Sequence, residues 1–369
     1  MVFFKYDRRI FQNFDWTLFA LVLCLCAIGV VNVYSTDFGL GENAPQLYLK
    51  QIQWVIIGLL LMAVTFLIDY RAIAQAAYVI YGLLLASLVY VAFFGHVANG
   101  AQRWISFGFF LLQPSEFMKV ALIVVLARYF DDHKSREPYL LREIFIPFVL
   151  VLLPCVLIIR QPDLGTAFIF IILFFAITHQ AGAKKSHLFF LVMAGLVMSP
   201  VFWLVMKGYQ KDRILTFINP MRDPLGRGYN LIQSIITIGS GGIAGKGYLR
   251  GTQTKLAFLP EYHTDFIFCV LAEEFGFIGV LVLLILYYFF FRAILDIIYS
   301  TQDRFGRLMG AGILSMFISH VFINTAMTMG LFPVVGIPLP FISYGGSSLM
   351  VSLVSVMLLV NIRDNSLMF

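Results

Sequence analysis

The stretch FIFCVLAEEFGFIGVLVLLILYYFFF, residues 266–291, decides the fold. It exceeds the roughly 20 residues that an α-helix needs to cross about 30 Å of hydrocarbon. Similar apolar cores recur along the chain, which is 60% hydrophobic and only 12% charged. This composition excludes a water-soluble globule. The runs are long, whereas the strands of a β-barrel are short and alternate in hydrophobicity. The sequence therefore predicts an all-α polytopic membrane protein with about ten transmembrane helices, and not a β-barrel.

Several of the ten predicted spans must extend into their flanks to reach full length. They are Trp16–Tyr34, Trp54–Leu67, Ile73–Phe94, Phe117–Leu126, Ile144–Ile159, Thr166–Ile177, Leu188–Met206, Phe266–Phe291, Leu308–Met329 and Phe341–Val360. We expect one transmembrane domain over residues 1–369. A large extracytoplasmic loop, 207–265, is expected within it, between helices 7 and 8.

Lys and Arg residues cluster in alternate loops, and cytoplasmic loops carry the excess of these residues. The loops assigned to the cytoplasm hold Lys5, Arg8, Arg9, Arg71, Arg128, Lys134, Arg136, Arg142, Lys184, Lys185, Arg292, Arg304, Arg307 and Arg363, whereas the opposite short loops hold only Lys50, Arg103 and Arg160. This asymmetry places both termini in the cytoplasm and 207–265 outside.

The 207–265 segment is far longer than ordinary connections, and such loops are usually functional or disordered. Apolar residues of 230–238 share one helical face, which predicts a helix lying in the outer interface. The glycine-rich stretch 239–251 that follows departs from the Walker pattern, with Ser240 and Gly247 at two of its required positions, so we reject a nucleotide-binding loop. A phosphate-binding nest is one interpretation of this stretch, and a flexible turn is the favoured one.

Ionisable residues crowd the mouth of the 266–291 run, in LPEYHTDF at 259–266. Charges near membrane depth are costly and are usually kept for chemistry or transport. Asp265 is therefore the leading candidate for the reactive group. Glu261 and His263 lie beside it, and we expect His263 to help bind substrate.

A second polar group precedes the fourth span. Glu116 and Lys119 share a helical face at i, i+3, so they form either a mutually neutralising pair or a functional pair. In the preceding outer loop, Arg103 lies beside Trp104 and has no acidic neighbour in sequence. It suits a phosphate or sugar ligand, and the alternative is interfacial snorkelling.

A third group is the short outer turn RQPDLGT, residues 160–166. Asp163 either caps the next helix or contributes to the same outer cavity. The stretch 333–348, PVVGIPLPFISYGGSS, predicts a broken or re-entrant segment lining a cavity, with a rigid loop as the equal alternative.

The four cysteines lie within apolar runs, without CxxC pairs or His clusters at metal spacing, and we interpret them as reduced packing residues. Nothing supports nucleic-acid binding. The net charge of +6 suits anionic lipid or an anionic substrate.

These groups converge on one outer opening with membrane-facing walls. One scheme fits: Asp265 acts as a base on a hydroxyl, while Arg103, Lys119 and a divalent cation, Mg²⁺ or Mn²⁺, stabilise a phosphate leaving group. The metal requirement stays open. The alternatives are a flippase for a lipid-linked precursor and a non-catalytic scaffold. The absence of a matching polar relay toward the cytoplasm favours the enzyme.

The segments 99–119, 160–166, 259–266 and 333–348 resemble, in order, the motifs of the SEDS (shape, elongation, division and sporulation) family of peptidoglycan glycosyltransferases. The resemblance covers nearly the whole chain. Gly251, Thr252 and Gln253 are similar to the elongation enzymes of the family and differ from its division enzymes.

The resemblance implies polymerisation of lipid II outside the inner (cytoplasmic) membrane, with inversion at the anomeric centre and release of undecaprenyl diphosphate. Asp265 matches the family's essential acidic residue. Arg103, Glu116, Lys119 and Asp163 match polar positions of its central cavity, which bind donor or acceptor phosphate. The implied partners are a single-pass class B penicillin-binding transpeptidase and other membrane proteins of the elongation complex.

Overall fold

The computed structural model describes residues 14–38, 46–98, 101–108, 110–226, 228–252 and 261–366, and these are mostly helical. The helices, numbered along the chain, are α1 (Trp16–Phe38), α2 (Leu47–Leu67), α3 (Tyr70–Gln75), α4 (Ala77–Phe94), α5 (Pro114–Asp132), α6 (Leu141–Arg160), α7 (Leu164–Ala181), α8 (Lys185–Val197), α9 (Ser199–Val205), α10 (Gly208–Ile218), α11 (Tyr229–Gly241), α12 (Ile267–Ser300), α13 (Arg304–Thr328) and α14 (Gly346–Ser366).

Eight of the described helices are long and apolar enough to span a membrane. The count is nine if α8 and α9, which meet at a 46° bend, form one span. Helix α5 has 19 residues but carries Glu116, Lys119 and Arg128, so it does not stand out by hydropathy. The predicted multi-span helical membrane protein is confirmed. The count of about ten, the outer position of 207–265 and the single domain over 1–369 stay predictions.

Helices α5, α13 and α14 form the centre of the bundle, because most of their side chains are buried. Helix α13 packs against α5, α7 and α12, and α14 packs against α2. By contrast, α8 and α9 bury none of their residues. Proline at the start of α9 explains the bend, since Pro200 has no N–H to continue the ladder of α8.

The last span was predicted to begin at Phe341, but residues 341–345 are not helical. Phe341 has a φ of 64°, in the left-handed region. The Tyr344 N–H donates to the His263 carbonyl (2.9 Å), and the Ser343 hydroxyl donates to the Thr264 carbonyl (2.7 Å). These bonds hold the segment against 263–265 in a non-helical conformation, which both interpretations of this stretch require, and α14 starts only at Gly346.

A small antiparallel sheet joins α4 to α5 and departs from the all-α prediction. Its strands are β1 (His96–Ala98), β2 (Ala101–Ser106) and β3 (Leu111–Leu112), in the order β1-β2-β3. The strands are too short to leave an alternating pattern that hydropathy detects. They position Arg103, which lies in the middle of β2.

The 207–265 segment is not a plain loop, since its described part contains the helices α10 and α11. Helix α11 confirms the predicted helix, and its position in the outer interface stays a prediction. Its buried positions include Ser234, Thr237 and Gly241, while Ile235 and Ile236 are exposed. A Cβ at Gly241 would lie 2.0 Å from the Ala272 carbonyl oxygen, so α11 approaches α12 through its small residues.

Helix α12 is broken at Gly276, which has a φ of 63°. The glycine-rich segment 242–247 fills the break: the N–H groups of Lys246 and Gly247 donate to the carbonyls of Glu273 and Glu274 (both 3.0 Å). Because those two amides already donate to helix carbonyls, they are not available to a phosphate group, which argues against a phosphate-binding nest at this position. The stretch 239–251 is an ordered brace for α12. Residues 253–260, including Gln253 of the elongation-type motif, lie outside the described residues.

Candidate active site

Asp265 lies just before α12, which begins at Ile267, and both α13 and the 333–345 segment lie against it. The Asn324 side chain of α13 donates to the Asp265 carbonyl (3.0 Å) and to the Ile337 carbonyl (2.7 Å). A Cβ at Gly336 would lie 3.2 Å from the Asp265 Oδ2. The 333–345 segment thus packs beside the carboxylate, and Asn324 fixes both.

The Asp265 side chain is partly buried. Burial and the nearby Glu261 carboxylate raise the pKa of Asp265 to about 6, against the lowering effect of Arg213. Asp163 raises this pKa further and Arg103 lowers it. A carboxylate with a pKa just below neutral is suited to general-base catalysis.

Arg213 is a site residue that the sequence analysis missed. It lies on α10, and burial and the charge of Arg103 lower the pKa of its guanidinium, against the influence of Asp163 and Asp265. Arg213 also lines a cavity of about 270 Å³. The amphipathic pattern of 208–218 was the available signal, but only tertiary packing brings this residue to Asp265.

Asp163 performs the predicted capping role. Its Oδ1 accepts the Thr166 N–H (3.1 Å), and its Oδ2 accepts the Thr166 hydroxyl (2.9 Å). The Gln113 side chain, just before α5, donates to the same Oδ2 (3.4 Å). The carboxylate also influences the pKa values of Asp265 and Arg213. Asp163 therefore both caps α7 and lies close enough to act electrostatically on Asp265 and Arg213.

Arg103 donates hydrogen bonds to main-chain carbonyl groups, which its sequence context did not indicate. Its Nε donates to the Gln161 carbonyl (2.8 Å), and its Nη2 donates to the Pro162 carbonyl. The Gln161 side chain in turn donates to the Leu88 carbonyl of α4 (3.1 Å). Arg103 thus ties β2 to the turn that presents Asp163.

Glu116 and Lys119 form a buried ion pair, with the Lys119 Nζ 2.8 Å from both carboxylate oxygens. The same Nζ lies 2.9 Å from the His320 Nε2 on α13. The His320 Nδ1 lies 2.7 Å from the Met316 carbonyl, so a neutral ring that donates from Nδ1 and accepts at Nε2 satisfies both contacts. A cavity of about 10 Å³ beside these groups has room for about one water. His320 was not predicted from the sequence, although a lone ionisable residue in a span was the available signal.

His263 faces a different neighbourhood from Asp265. Its ring packs edge-on to Tyr262 and Tyr344. Burial lowers the pKa of His263, opposed by Glu261 and Asp37. Its Nδ1 has no hydrogen-bond partner in the described part of the chain. His263 therefore lies on the α1 side of the 261–265 turn.

Two further carboxylates were not singled out from the sequence. Glu273 is fully buried, and its Oε1 lies 2.6 Å from the Lys246 Nζ and 2.9 Å from the Thr252 N. Glu274 accepts the Ser35 hydroxyl of α1. Both fasten the glycine-rich brace and α1 to the N-terminal part of α12.

The acidic groups do not form a ready metal site. Within the described ranges, no group of three or more His, Cys, Asp or Glu side chains is arranged to hold a metal ion. Mg²⁺ is commonly bound by one or two carboxylates together with substrate phosphates. Asp265 and Glu261 fit that donor set only if the substrate supplies the remaining ligands.

Comparisons with known proteins cover nearly the whole chain. Residues 15–367 match the family described as cell cycle protein, FTSW_RODA_SPOVE. The peptidoglycan glycosyltransferase RodA of Treponema pallidum (strain Nichols) is 34% identical, over 96% of this chain and 99% of its own length.

Solved structures agree. One chain of a peptidoglycan synthase complex that coordinates polymerization and crosslinking is 33% identical, with a TM-score of 0.81 over 95% of this chain and 98% of that one. The rod shape determining protein RodA of Thermus thermophilus is 28% identical, with a TM-score of 0.72 over 95% and 97% of the two chains. The membership expected from the motifs is confirmed: this chain belongs to the FtsW/RodA/SpoVE family.

Proposed function

We propose that the protein is a peptidoglycan glycosyltransferase that polymerises lipid II into glycan strands during cell elongation. A full-length relative carries this activity in its name, and a solved relative is a rod shape determining protein. The observation that carries the proposal is Asp265, a partly buried carboxyl group with a pKa of about 6 that interacts with Arg213 at the wall of a cavity.

In this mechanism, the Asp265 carboxylate takes the proton from a hydroxyl of the acceptor sugar. The hydroxyl oxygen attacks the anomeric carbon of the donor from the face opposite its diphosphate. The bond from that carbon to the diphosphate oxygen breaks as the glycosidic bond forms, so the anomeric centre inverts and undecaprenyl diphosphate leaves. The raised pKa supports proton acceptance near neutral pH.

The remaining polar residues bind and orient the two lipid II molecules. We assign this role to Arg103, Glu116, Lys119, Asp163 and His263. The bonds from Arg103 to the 161–162 carbonyls and the Asp163 cap support an orienting role for these two residues. Glu261 and Asp265 would hold a divalent cation only together with ligands from the substrate, and the cation would supply neutralisation of phosphate charge.

The proposed location is the bacterial cytoplasmic membrane, with both termini inside and the Asp265 site outside. The distribution of Lys and Arg supports this orientation. The proposed partner is a class B penicillin-binding transpeptidase, together with other membrane proteins of the elongation complex. A structural relative comes from a synthase complex that couples polymerization to crosslinking, which supports such a partner.

A glycan ladder assay tests the function. The purified protein, alone and with a transpeptidase partner, is incubated with labelled lipid II and Mg²⁺ or Mn²⁺. We expect a ladder from the wild type and from Asp296→Asn, a matched control whose side chain is 61% exposed, and none from Asp265→Asn. No ladder from folded wild type, together with lipid II translocation in vesicles, would favour a flippase instead.

A further inference from the structure

The cations of the site differ in what they already contact. Arg103 donates to two main-chain carbonyls, and Lys119 contacts Glu116 and His320. Arg213 interacts with Asp163 and Asp265 only through charge, and it has no hydrogen bond or ion pair among the residues that the structure describes. A half-buried guanidinium with five unused donors is costly unless a ligand satisfies it.

Arg213 also has space beside it. The cavity of about 270 Å³ is lined by hydroxyl and amide groups from Tyr209, Thr216 and Asn230, with Val334 on the side of the 333–345 segment. This volume falls just below the about 300 Å³ at which pockets for whole small molecules begin. It therefore suits a polar head group, with the rest of a lipid-linked substrate outside the cavity.

One carboxylate, Asp212, lines the same cavity. Its charge opposes an anion there, whereas the Arg213 fork attracts one and matches phosphate oxygens in bidentate geometry. The two neighbouring residues therefore act on an anionic ligand with opposite signs. This opposition makes the ligand's charge testable by substitution.

Inverting transfer needs two kinds of assistance on opposite faces of the reacting carbon, namely a base for the nucleophile and stabilisation of the leaving group. Asp265 supplies the base in the proposed function. Arg213 lies close enough to influence Asp265 and has its own cavity. A cation at this place would meet negative charge as it develops on the departing diphosphate.

We propose that Arg213 binds the diphosphate of the donor lipid and stabilises it as the leaving group. This inference rests on the proposed function, since it places Asp265 and Arg213 on the two sides of the donor sugar. It assigns to α10 a direct role in substrate binding.

Inorganic diphosphate is the probe, titrated by calorimetry into the purified full-length protein without lipid II. We expect Arg213→Gln to weaken binding at least tenfold. Arg213→Lys, which keeps the charge but loses the bidentate fork, should fall in between. Asp212→Asn should tighten binding, and the control Arg222→Gln, at an exposed residue in the next turn, should leave it unchanged.

Turnover with lipid II provides the second readout. We expect Arg213→Gln to lower kcat by about 10²–10³-fold, as loss of an oxyanion donor does elsewhere. Equal diphosphate affinity in wild type and Arg213→Gln, or weaker binding by Asp212→Asn, would overturn the inference while an active Asp265-dependent enzyme upheld the proposed function. Diphosphate binding that depends on Arg213, in a protein without turnover, would support the diphosphate site and contradict the proposed function. If Arg213→Gln does not fold, the inference is tested by the opposite changes in diphosphate affinity expected for Arg213→Lys, which should bind more weakly, and Asp212→Asn, which should bind more tightly.

Discussion

Removing one partner of the Glu116–Lys119 pair should destabilise the protein far more than removing both. Lys119→Met keeps the length of the side chain but leaves the Glu116 carboxylate buried without its cation. The two side chains are only 3% and 6% exposed, so water cannot replace the lost partner. The His320 Nε2 loses its donor in the same substitution.

The contacts set the magnitude. Lys119 makes three short contacts of 2.8–2.9 Å, and breaking a buried pair by removing one partner costs about 3–5 kcal/mol of unfolding free energy. In the double variant Glu116→Gln/Lys119→Met no charge is left unpaired. We expect it to recover at least about 2 kcal/mol of the sum of the single losses, since replacing a whole buried pair is often near neutral.

Denaturant unfolding of the four proteins in detergent micelles measures the cycle. The exposed pair Arg292–Asp296, 3.7 Å apart with side chains 54% and 61% exposed, is the control, and its coupling should stay below about 1 kcal/mol. Additive losses at Glu116 and Lys119 would refute the reasoning, because they would mean that neither charge depends on the other. Activity measured on the same four proteins shows whether the pair also serves catalysis.

Two further predictions concern stability. The pKa of Asp265 is raised in the folded state, so the protonated carboxyl favours the folded state below its unfolded pKa and this contribution is lost as pH rises through about 6. Asp265→Asn should therefore unfold at a higher temperature than wild type at pH 7.5, but not at pH 4. Differential scanning fluorimetry at the two pH values measures the difference. Gly241→Ala should destabilise the protein by about 1–3 kcal/mol through the contact with the Ala272 carbonyl, whereas Gly239→Ala on the same helix meets no atom within 4 Å and should be neutral or stabilising. Equal unfolding midpoints for the two glycine variants would show that α11 does not pack closely on α12.

Hydropathy predicts the spans well because the membrane acts on each segment separately. Runs such as 266–291 need only their own length and composition to be assigned to the bilayer. The ends of spans were less predictable: residues 341–345 are apolar enough to extend α14, but hydrogen bonds to 263–264 hold them outside it. The contact from Ser343 to Thr264 spans 79 positions and leaves no local trace in the sequence.

The orientation of α11 illustrates a second limit. The sequence pattern placed its apolar face in the outer membrane interface but did not show that Ser234, Thr237 and Gly241 are buried against the protein. Small residues permit close helix approach, and exposed isoleucines are favourable where lipid surrounds the helix. Which face is buried therefore depends on the solvent outside, and hydrophobic periodicity alone does not specify that solvent.

The site was predictable where a residue type was itself unusual. Asp265, Glu116 and Lys119 are ionisable groups at apolar runs, and this rarity drew attention to them. Arg213 stands in an ordinary amphipathic sequence, and only the tertiary position of α10, which shares a cavity with Val334, gives it a role. His320 shows an intermediate case, since its rarity was visible but its partner Lys119 lies 201 positions away.

The pH dependence of kcat/KM for lipid II polymerisation reports the pKa of the essential base in the free enzyme, so it tests whether Asp265 is that base. We predict a rate that rises about tenfold per pH unit below about 6 and levels off above it, and that is lost at every pH in Asp265→Asn. A flat wild-type profile from pH 5 to 8, or an Asp265→Asn variant with the wild-type profile, would contradict the assignment of Asp265 as the base.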